Sequence, residues 1–511
     1  MLCQRVFPIL GVSLALVAQA PAPESKRLSL QDAIVTALQN NLQVQISRET
    51  RSATQSGVLS AEGAFDWTLS SSLNWSRAES TTFRPAFTGA APTKNESTTW
   101  SRTFSAGLAK PFEWGGNLSI NYNPSYSFSS GRIVNGLTDS GGNVLGDRLT
   151  ATAAPYTGTM SATYTQSLLK NFGRQVAESG AIVARLSAKS ADFTFQKAII
   201  DLVASTESSY WDVVFAQRNL ENKKQALALA RKQLRENQIR VEVGTLAPIE
   251  VTSAEASVAQ REQDIISAEA QFLNAKDALI RALFPNAERP AGLELTDAPK
   301  ITPINLDESG ATKMALERRV ELKSAKLDLE SKNVLEFAAS NRLKPQLDAF
   351  ATYSGSSDNY RAVGPVNGDL FNSRNPGYTL GLNFSLPLMN KAAEGSLASA
   401  RASRRSSELS KRDLELGITL EVRTAIRNVE AAEKGVKAAE KTRIFREKDL
   451  EAEQKKFENG MSTNFLVLSK QNDLDTAKSA EVQAQITYAK SLTSMEKAVG
   501  NLLDARNLKL D

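Results

Sequence analysis

Histidine is absent from the 511 residues and cysteine occurs once, at Cys3. These two facts remove Ser-His and Cys-His catalysis, histidine metal sites and any intramolecular disulfide. A net charge of +5, from Lys+Arg 61 against Asp+Glu 56, is too small a bias on this length to indicate nucleic acid. The acidic residues fall on polar helical stretches as solvated faces, so no catalytic residue, cofactor or metal is assigned and no enzyme is expected. The chemistry left is that of exposed turns. "VGTLAPIEV" carries Gly244, Thr245, Leu246 and Ala247, and "NGMSTNFLV" carries Gly460, Met461, Ser462 and Thr463. Glycine there supplies a left-handed helix cap, and Pro248 suits the first turn of a returning helix. Exposed tips of this kind tend to contact partners.

The turns require long helices on either side. Val213, Leu220, Leu227, Leu234 and Val241 recur every seven residues, as do Val422, Val429, Val436, Leu450 and Phe457, with Arg443 at one step. Seven-residue spacing specifies coiled-coil packing, and the Ala, Glu, Lys, Gln and Arg between favour helix with a wet outer surface. Two long helical hairpins are expected, over residues 175–284 and 392–503. A first arm of about 65 residues is roughly 100 Å long at the helical rise, beyond an ordinary globular helix.

Both hairpins belong to a repeat. "DAIVTALQNNLQV" matches "SGATKMALERRVEL" at an offset of 278, which also carries Leu69 onto Leu347 and Trp75 onto Tyr353. "GTMSATYTQSLL" matches "GYTLGLNFSLPL" at an offset of 220, and Gly244 matches Gly460 at 216. The expected organisation is a first repeat over 23–300 and a second over 301–511, each a helix, strands and a hairpin. The fall from 278 to 220 places 58 additional residues in the first repeat, in an insertion over 79–157, whereas the second has two strands over 346–388.

Strand segments alternate with period two. Leu118, Ile120, Tyr122, Tyr126 and Phe128 oppose Asn117, Ser119, Asn121, Asn123, Ser125 and Ser127; Tyr378, Leu380, Leu382, Phe384 and Leu386 oppose Thr379, Gly381, Asn383 and Ser385. Such strands fit an outer-membrane barrel or a soluble sandwich. Two features favour the barrel. Residues 1–22 read as a signal peptide, with Arg5, an apolar run and small residues, cleavage following Ala18, Ala20 or Ala22 and removing Cys3. Trp67 and Trp75 stand on one face about 26 Å apart along a strand, close to the separation of interfacial girdles. No later segment is a transmembrane helix candidate, so membrane contact falls to strands.

Together, "LSLQDAIVTALQNNLQV", "SSYWDVVFAQRNL", the two tips and "YAKSLTSMEKAVGNLL" resemble the outer membrane efflux protein (TolC) family over nearly the whole mature chain. The resemblance implies an α+β fold: a homotrimer with a β-barrel shared between protomers and a periplasmic α-helical barrel. It implies an exit duct for tripartite efflux or type I secretion. Partners would be a periplasmic adaptor (membrane fusion) protein at the hairpin tips, an inner-membrane transporter of RND, ABC or MFS type, and outer-membrane lipid. Glu250 matches an acidic position at the family's closed entrance. Where the best-known member has two aspartates three residues apart, this chain has Leu466 and Ser469, so a constriction at Phe465 and Leu466 is the candidate gate beside Glu250. A solvated first-turn carboxylate favoured by the helix dipole accounts for Glu250 equally well. A coiled-coil structural or adhesive surface protein is the alternative function; it requires a parallel stalk without hairpins.

The insertion admits two readings. "WSRTFSAGLAKPF" and "GGNLSINYNPSYSF" around the turn Glu113–Gly116 are two further barrel strands, between long external loops over 79–97 and 130–156, giving six strands per chain. Alternatively they form an external hairpin, which Lys110 and Pro111 favour as poor lipid-facing or ladder residues.

Overall fold

The computed structural model describes residues 26–85, 92–134, 148–285, 293–299, 301, 307–372 and 374–508. The expected signal peptide, its cleavage site and Cys3 lie outside them. In chain order the elements are β1 (Lys26–Leu28), α1 (Leu30–Asn40), α2 (Leu42–Glu62), β2 (Thr68–Pro85), β3 (Pro92–Pro111), β4 (Gly116–Val134), β5 (Arg148–Ala151), β6 (Tyr156–Ser167), α3 (Arg174–Ala177), α4 (Ser179–Glu242), α5 (Ile249–Leu283), β7 (Leu293–Leu295), α6 (Glu308–Arg318), α7 (Val320–Asn341), β8 (Gln346–Ser356), α8 (Val363–Phe371), β9 (Asn375–Ser385), α9 (Lys391–Glu458), α10 (Asn464–Val499) and α11 (Leu502–Ala505). They divide into two compact units, one of residues 1–48, 195–320 and 416–511, the other of 49–194 and 321–415.

The first unit is helical. Arg231 of α4 pairs with Glu262 of α5 at 2.7 Å, and Arg446 of α9 with Asp473 of α10 at 3.1 Å, so each hairpin folds back antiparallel about its glycine turn. A further ladder joins α4 to α10. Asp212 to Lys490, Asn219 to Ser479, Lys223 to Asp475 and Asn237 to Asn464 keep nearly constant number sums, the signature of antiparallel neighbours. The core gathers Tyr210, Trp211, Val213 and Val214 from α4 with Leu279 and Leu283 from α5, Ile486 from α10, and Leu28, Ala33 and Ala37. The Tyr210 hydroxyl donates to the Leu28 carbonyl at 3.2 Å and lies 3.2 Å from Asp297; burial pushes the phenol up to about 12. β1 and β7 pair in parallel beside this contact.

The heptad positions of α9 are all buried at Val422, Val429, Val436, Leu450 and Phe457. In α4 only Val213 and Leu220 are; further along, the buried side chains are Ala230 and the polar Gln233 and Asn237. The expectation that acidic residues are solvated faces fails at Glu178, Glu207, Asp369, Glu453 and Asp475, all buried. Glu207 is fully buried, bound by Arg506 at 3.0 Å and Thr493 at 2.6 Å, and Asp475 is held by Lys223 at 2.7 Å and Arg261 at 2.8 Å. The ligating cations are up to 299 residues away in sequence, beyond the reach of helical periodicity.

The second unit is built on an antiparallel sheet with β2-β3-β4-β6-β8-β9 in order, and the short β5 against β4. Both strands of the insertion are in it: β3 pairs with β2 and β4 along its length, and β4 with β6. Residues 79–85, 92–97 and 130–134 lie in strands, correcting the expected loops over 79–97 and 130–156, of which 86–91 and 135–147 lie outside the described residues. Thr, frequent with Ser in these stretches, is a good strand residue as well as a loop residue, and pairing decides between the two. Lys110 and Pro111 pair with Leu118 and Asn117 at the end of β3, where a proline is tolerated.

The stretch 346–388 holds a helix as well as its two strands. The α8 sequence VGPVNGDLF holds two Gly, a Pro and an Asn, poor helix formers, yet Val366 and Leu370 are fully buried on the sheet. Gly158 of β6 makes room for them, since a Cβ there would meet Val366 Cγ1 at 2.8 Å and Leu370 Cδ1 at 2.9 Å. The Tyr122 hydroxyl donates to Asn367 at 2.5 Å, and Phe371 stacks on the Tyr122 ring.

Candidate functional site

The two turns have one geometry. Gly244 and Gly460 adopt φ of 78° and 73°. Gly244 N donates to Val241 O at 3.0 Å and Thr245 N to Arg240 O at 2.8 Å; the equivalent bonds run from Gly460 N to Phe457 O at 3.1 Å and Met461 N to Lys456 O at 2.8 Å. These paired bonds satisfy the last carbonyls of α4 and α9 around a left-handed residue, which glycine adopts without Cβ strain. The turns differ in how the next helix starts. Pro248 precedes α5 in helical geometry, without a side-chain cap, whereas the Thr463 hydroxyl accepts from Leu466 N at 3.4 Å to cap α10.

Of the eight tip residues, Gly244, Thr245, Ala247, Gly460, Met461 and Thr463 are exposed. Leu246 instead turns inward against Leu450, Phe457, Val467 and Leu474. Ser462 donates to the Glu453 carboxylate; that hydroxyl, with the Lys456 ammonium, holds the carboxyl below the usual range.

Glu250 lies in the first turn of α5, and its carboxylate is engaged: Asn464 Nδ2 donates to Oε2 at 3.0 Å. Asn464 belongs to a polar chain joining three helices. Gln233 donates to Asn237 at 2.9 Å, Asn237 donates to Asn464 Oδ1 at 2.9 Å, and Asn237, Asn464 and Gln233 are all buried. Beside it the Arg240 guanidinium lies 4.6 Å over the Phe457 ring and donates to its carbonyl at 3.2 Å. Phe465, at 71%, and Leu466 are exposed, one residue and two beyond Asn464. Glu250, Asn464 and the start of α10 thus lie together. Sequence periodicity does not reveal this polar chain, because its members are polar residues on three separate helices.

In the second unit, register sorts the sheet into two faces. One carries Leu69, Leu73, Trp75, Phe104, Leu108, Leu118, Ile120, Tyr122, Met160, Tyr164, Tyr353, Leu380, Leu382 and Phe384, with Arg102 opposite Trp75 and Lys110 opposite Leu118 towards its two ends. The other carries Ser72, Asn74, Ser105, Ser119, Asn121, Thr163, Thr352 and Asn383. On β2 and β3 the apolar face is bounded at both ends. At the turn end Lys110 Nζ lies 5.3 Å over Trp67 and 5.9 Å over Phe112, and Phe112 stacks on Trp114 at 4.6 Å. At the other end Arg77 lies over Trp100 and Arg102 over Tyr126, each at 5.8 Å. Aromatic rings with basic side chains at both limits are the pattern of two membrane–water interfaces. Among the described residues no helix is long and apolar enough to cross a membrane.

Comparison with known proteins gives a consistent picture. Residues 125–283 and 311–501 match the outer membrane efflux protein family. The chain is 23% identical over 325 residues to the outer membrane protein TolC of Vibrio cholerae, covering 62% of this chain and 72% of that protein. Its fold is similar to the outer membrane protein VceC of Vibrio cholerae (TM-score 0.64, 17% identity, 92% of this chain and 96% of that one). It is similar also to the CmeC outer membrane channel of Campylobacter jejuni (TM-score 0.65, 14% identity, 99% and 98%).

Proposed function

Because the chain belongs to the outer membrane efflux protein family, we propose that it is a homotrimeric exit duct for tripartite efflux or type I secretion. It resides in the outer membrane and extends into the periplasm. Strands from three copies close one β-barrel, and the hairpins pack as a periplasmic α-barrel. The exposed tips around Gly244 and Gly460 dock to a periplasmic adaptor coupled to an inner-membrane transporter of RND, ABC or MFS type. Glu250, Phe465 and Leu466 line the gate near those tips.

The observation that carries this reading is the sheet's apolar face, bounded by aromatic and basic residues, on a sheet whose two edge strands are open. Six strands close too narrow a barrel to conduct, whereas three copies supply about eighteen. α8, seated on the apolar face, then lies at the outer lipid boundary. The antiparallel hairpins argue against a parallel coiled-coil stalk.

Native mass measurement of the detergent-extracted chain, followed by conductance in planar bilayers, tests the reading. A trimer that conducts is expected; a monomer without conductance would overturn it.

A further inference from the structure

Among the described residues β2 and β9 are the open edges of the strand path. Every side chain described on β2 is exposed, as are nine of eleven on β9, whereas those of β4 between them are mostly half-buried. Along six alternating strands β9 runs opposite to β2, so the two edges are suited to pair antiparallel between copies.

We infer that β9 of one chain pairs with β2 of a second copy of this chain in a single register, in which the numbers of facing residues sum to 457. This rests on the shared barrel proposed above, and the internal repeat supplies the register. β6 is the last strand of the first repeat and β8 the first strand of the second; they pair from Thr159↔Ser356 to Ser167↔Asp348, every pair summing to 515. The same junction between copies joins the last strand of the second repeat, β9, to the first strand of the next chain, β2. Moving β6 to β9 adds 220, and moving β8 to β2 subtracts 278, which turns 515 into 457. The offset recurs in the element bounds, since β2 begins at Thr68 and β8 at Gln346, 278 residues on.

Two features not used in that derivation agree with it. An odd sum faces Trp75 with Leu382 and Leu73 with Phe384, and on the other side Asn74 with Asn383 and Ser72 with Ser385; an even sum would put Trp75 against Asn383 and invert one strand. All eleven residues of β9 find partners, in 72–82 of β2. The intrachain equivalent of Asn74–Asn383 is Thr163–Thr352, whose hydroxyls are 2.9 Å apart, so side chains at this step meet.

Disulfide trapping in the full-length chain with Cys3→Ser tests the register. Directly opposed antiparallel residues have Cα atoms about 4.5–5.5 Å apart, within disulfide reach, whereas a shift of two residues puts them beyond it. Asn74→Cys with Asn383→Cys is expected to give interchain dimers and trimers on non-reducing gels. The yield should be at least tenfold above Ser72→Cys with Asn383→Cys or Ser76→Cys with Asn383→Cys, which probe sums of 455 and 459. A shifted pair that cross-links best in an intact trimer overturns the register and leaves the duct reading standing. A trimer in which none of the pairs cross-links overturns the β2–β9 seam itself. An intrachain link, or a protein monomeric by native mass, overturns the shared barrel and the register together.

Discussion

Asn464 donates its side-chain amide to the Glu250 carboxylate at 3.0 Å, linking the first turn of α10 to the first turn of α5. The same Asn464 oxygen accepts from Asn237 at 2.9 Å, so the candidate gate carboxylate is the outer member of a buried polar chain that reaches α4. Buried amides left without partners cost about 1–3 kcal/mol each. Asn464→Leu is therefore expected to lower unfolding stability by about that amount through the groups it strands. Glu250→Gln keeps an acceptor for Asn464 while removing the charge. It should leave stability nearly unchanged and reduce cation preference in single-channel recordings; unaltered selectivity and closure would remove Glu250 from the gate.

Gly244 and Gly460 hold positive φ, yet a Cβ built on either meets no atom within 4 Å. The turns themselves have room for a side chain, and what resists one is backbone conformation, roughly 1–2 kcal/mol for a non-glycine residue. Leucine at either position should therefore leave trimers in the outer membrane while blocking transport, because its bulk projects toward the adaptor. Asparagine tolerates the left-handed region and is smaller, so Gly244→Asn and Gly460→Asn are expected to transport better than the leucine variants. Normal efflux or secretion in both leucine variants would rule out close docking at the tips.

Much of this arrangement is legible in sequence, for reasons that differ by element. Gly244 and Gly460 announce their turns because few residues other than glycine suit a left-handed cap. The β4 strand shows itself through the alternation of Leu118, Ile120 and Tyr122 with Asn117, Ser119 and Asn121, a period set by the backbone alone. The Asn237–Asn464 link is different: its halves are 227 residues apart, and each alone is a polar residue on a polar helix. Likewise α8 forms against Gly158, some two hundred residues earlier, and the three-residue β1 and β7 are too short to carry a period.

The second tip carries an acid sensitivity. Ser462 and Lys456 hold the Glu453 carboxyl below its ordinary value of 4.5. A carboxyl depressed in the folded state contributes stability that is fully present above the unfolded value and is lost as pH falls through the folded one. Protection of the amides at the α9–α10 turn, with exchange rates taken relative to their pH-dependent intrinsic values, should therefore be constant above about pH 5 and fall below about 4.5. Ser462→Ala, which removes the largest cause of the shift, should lower protection already above about pH 5 and show a smaller further loss below it. Identical exchange profiles for the two proteins would show that the Ser462–Glu453 contact does not stabilise the turn.

The insertion strands give the most direct test of the membrane reading. β4 pairs on both sides, and its register places Ser119, Asn121 and Asn123 with the polar face and Leu118, Ile120 and Tyr122 with the apolar one. If six strands per chain enter a shared barrel, the first set faces water in the lumen and the second faces lipid, because side chains alternate across the wall. Single cysteines at 118–123 in the Cys3→Ser background, treated with a membrane-impermeant thiol reagent in intact outer membranes, should react with period two. Sites 119, 121 and 123 label and 118 and 120 do not. Tyr122 adds a second distinction, since its ring stacks on Phe371 of α8. A cysteine at 122 should resist the reagent in the wild-type α8 background and remain resistant after Phe371→Ala, because lipid replaces the lost ring. Labelling at 122 that appears only in the Phe371→Ala variant would mean that water lies on the apolar face there, and equal labelling of both faces along β4 would place the whole hairpin outside the membrane.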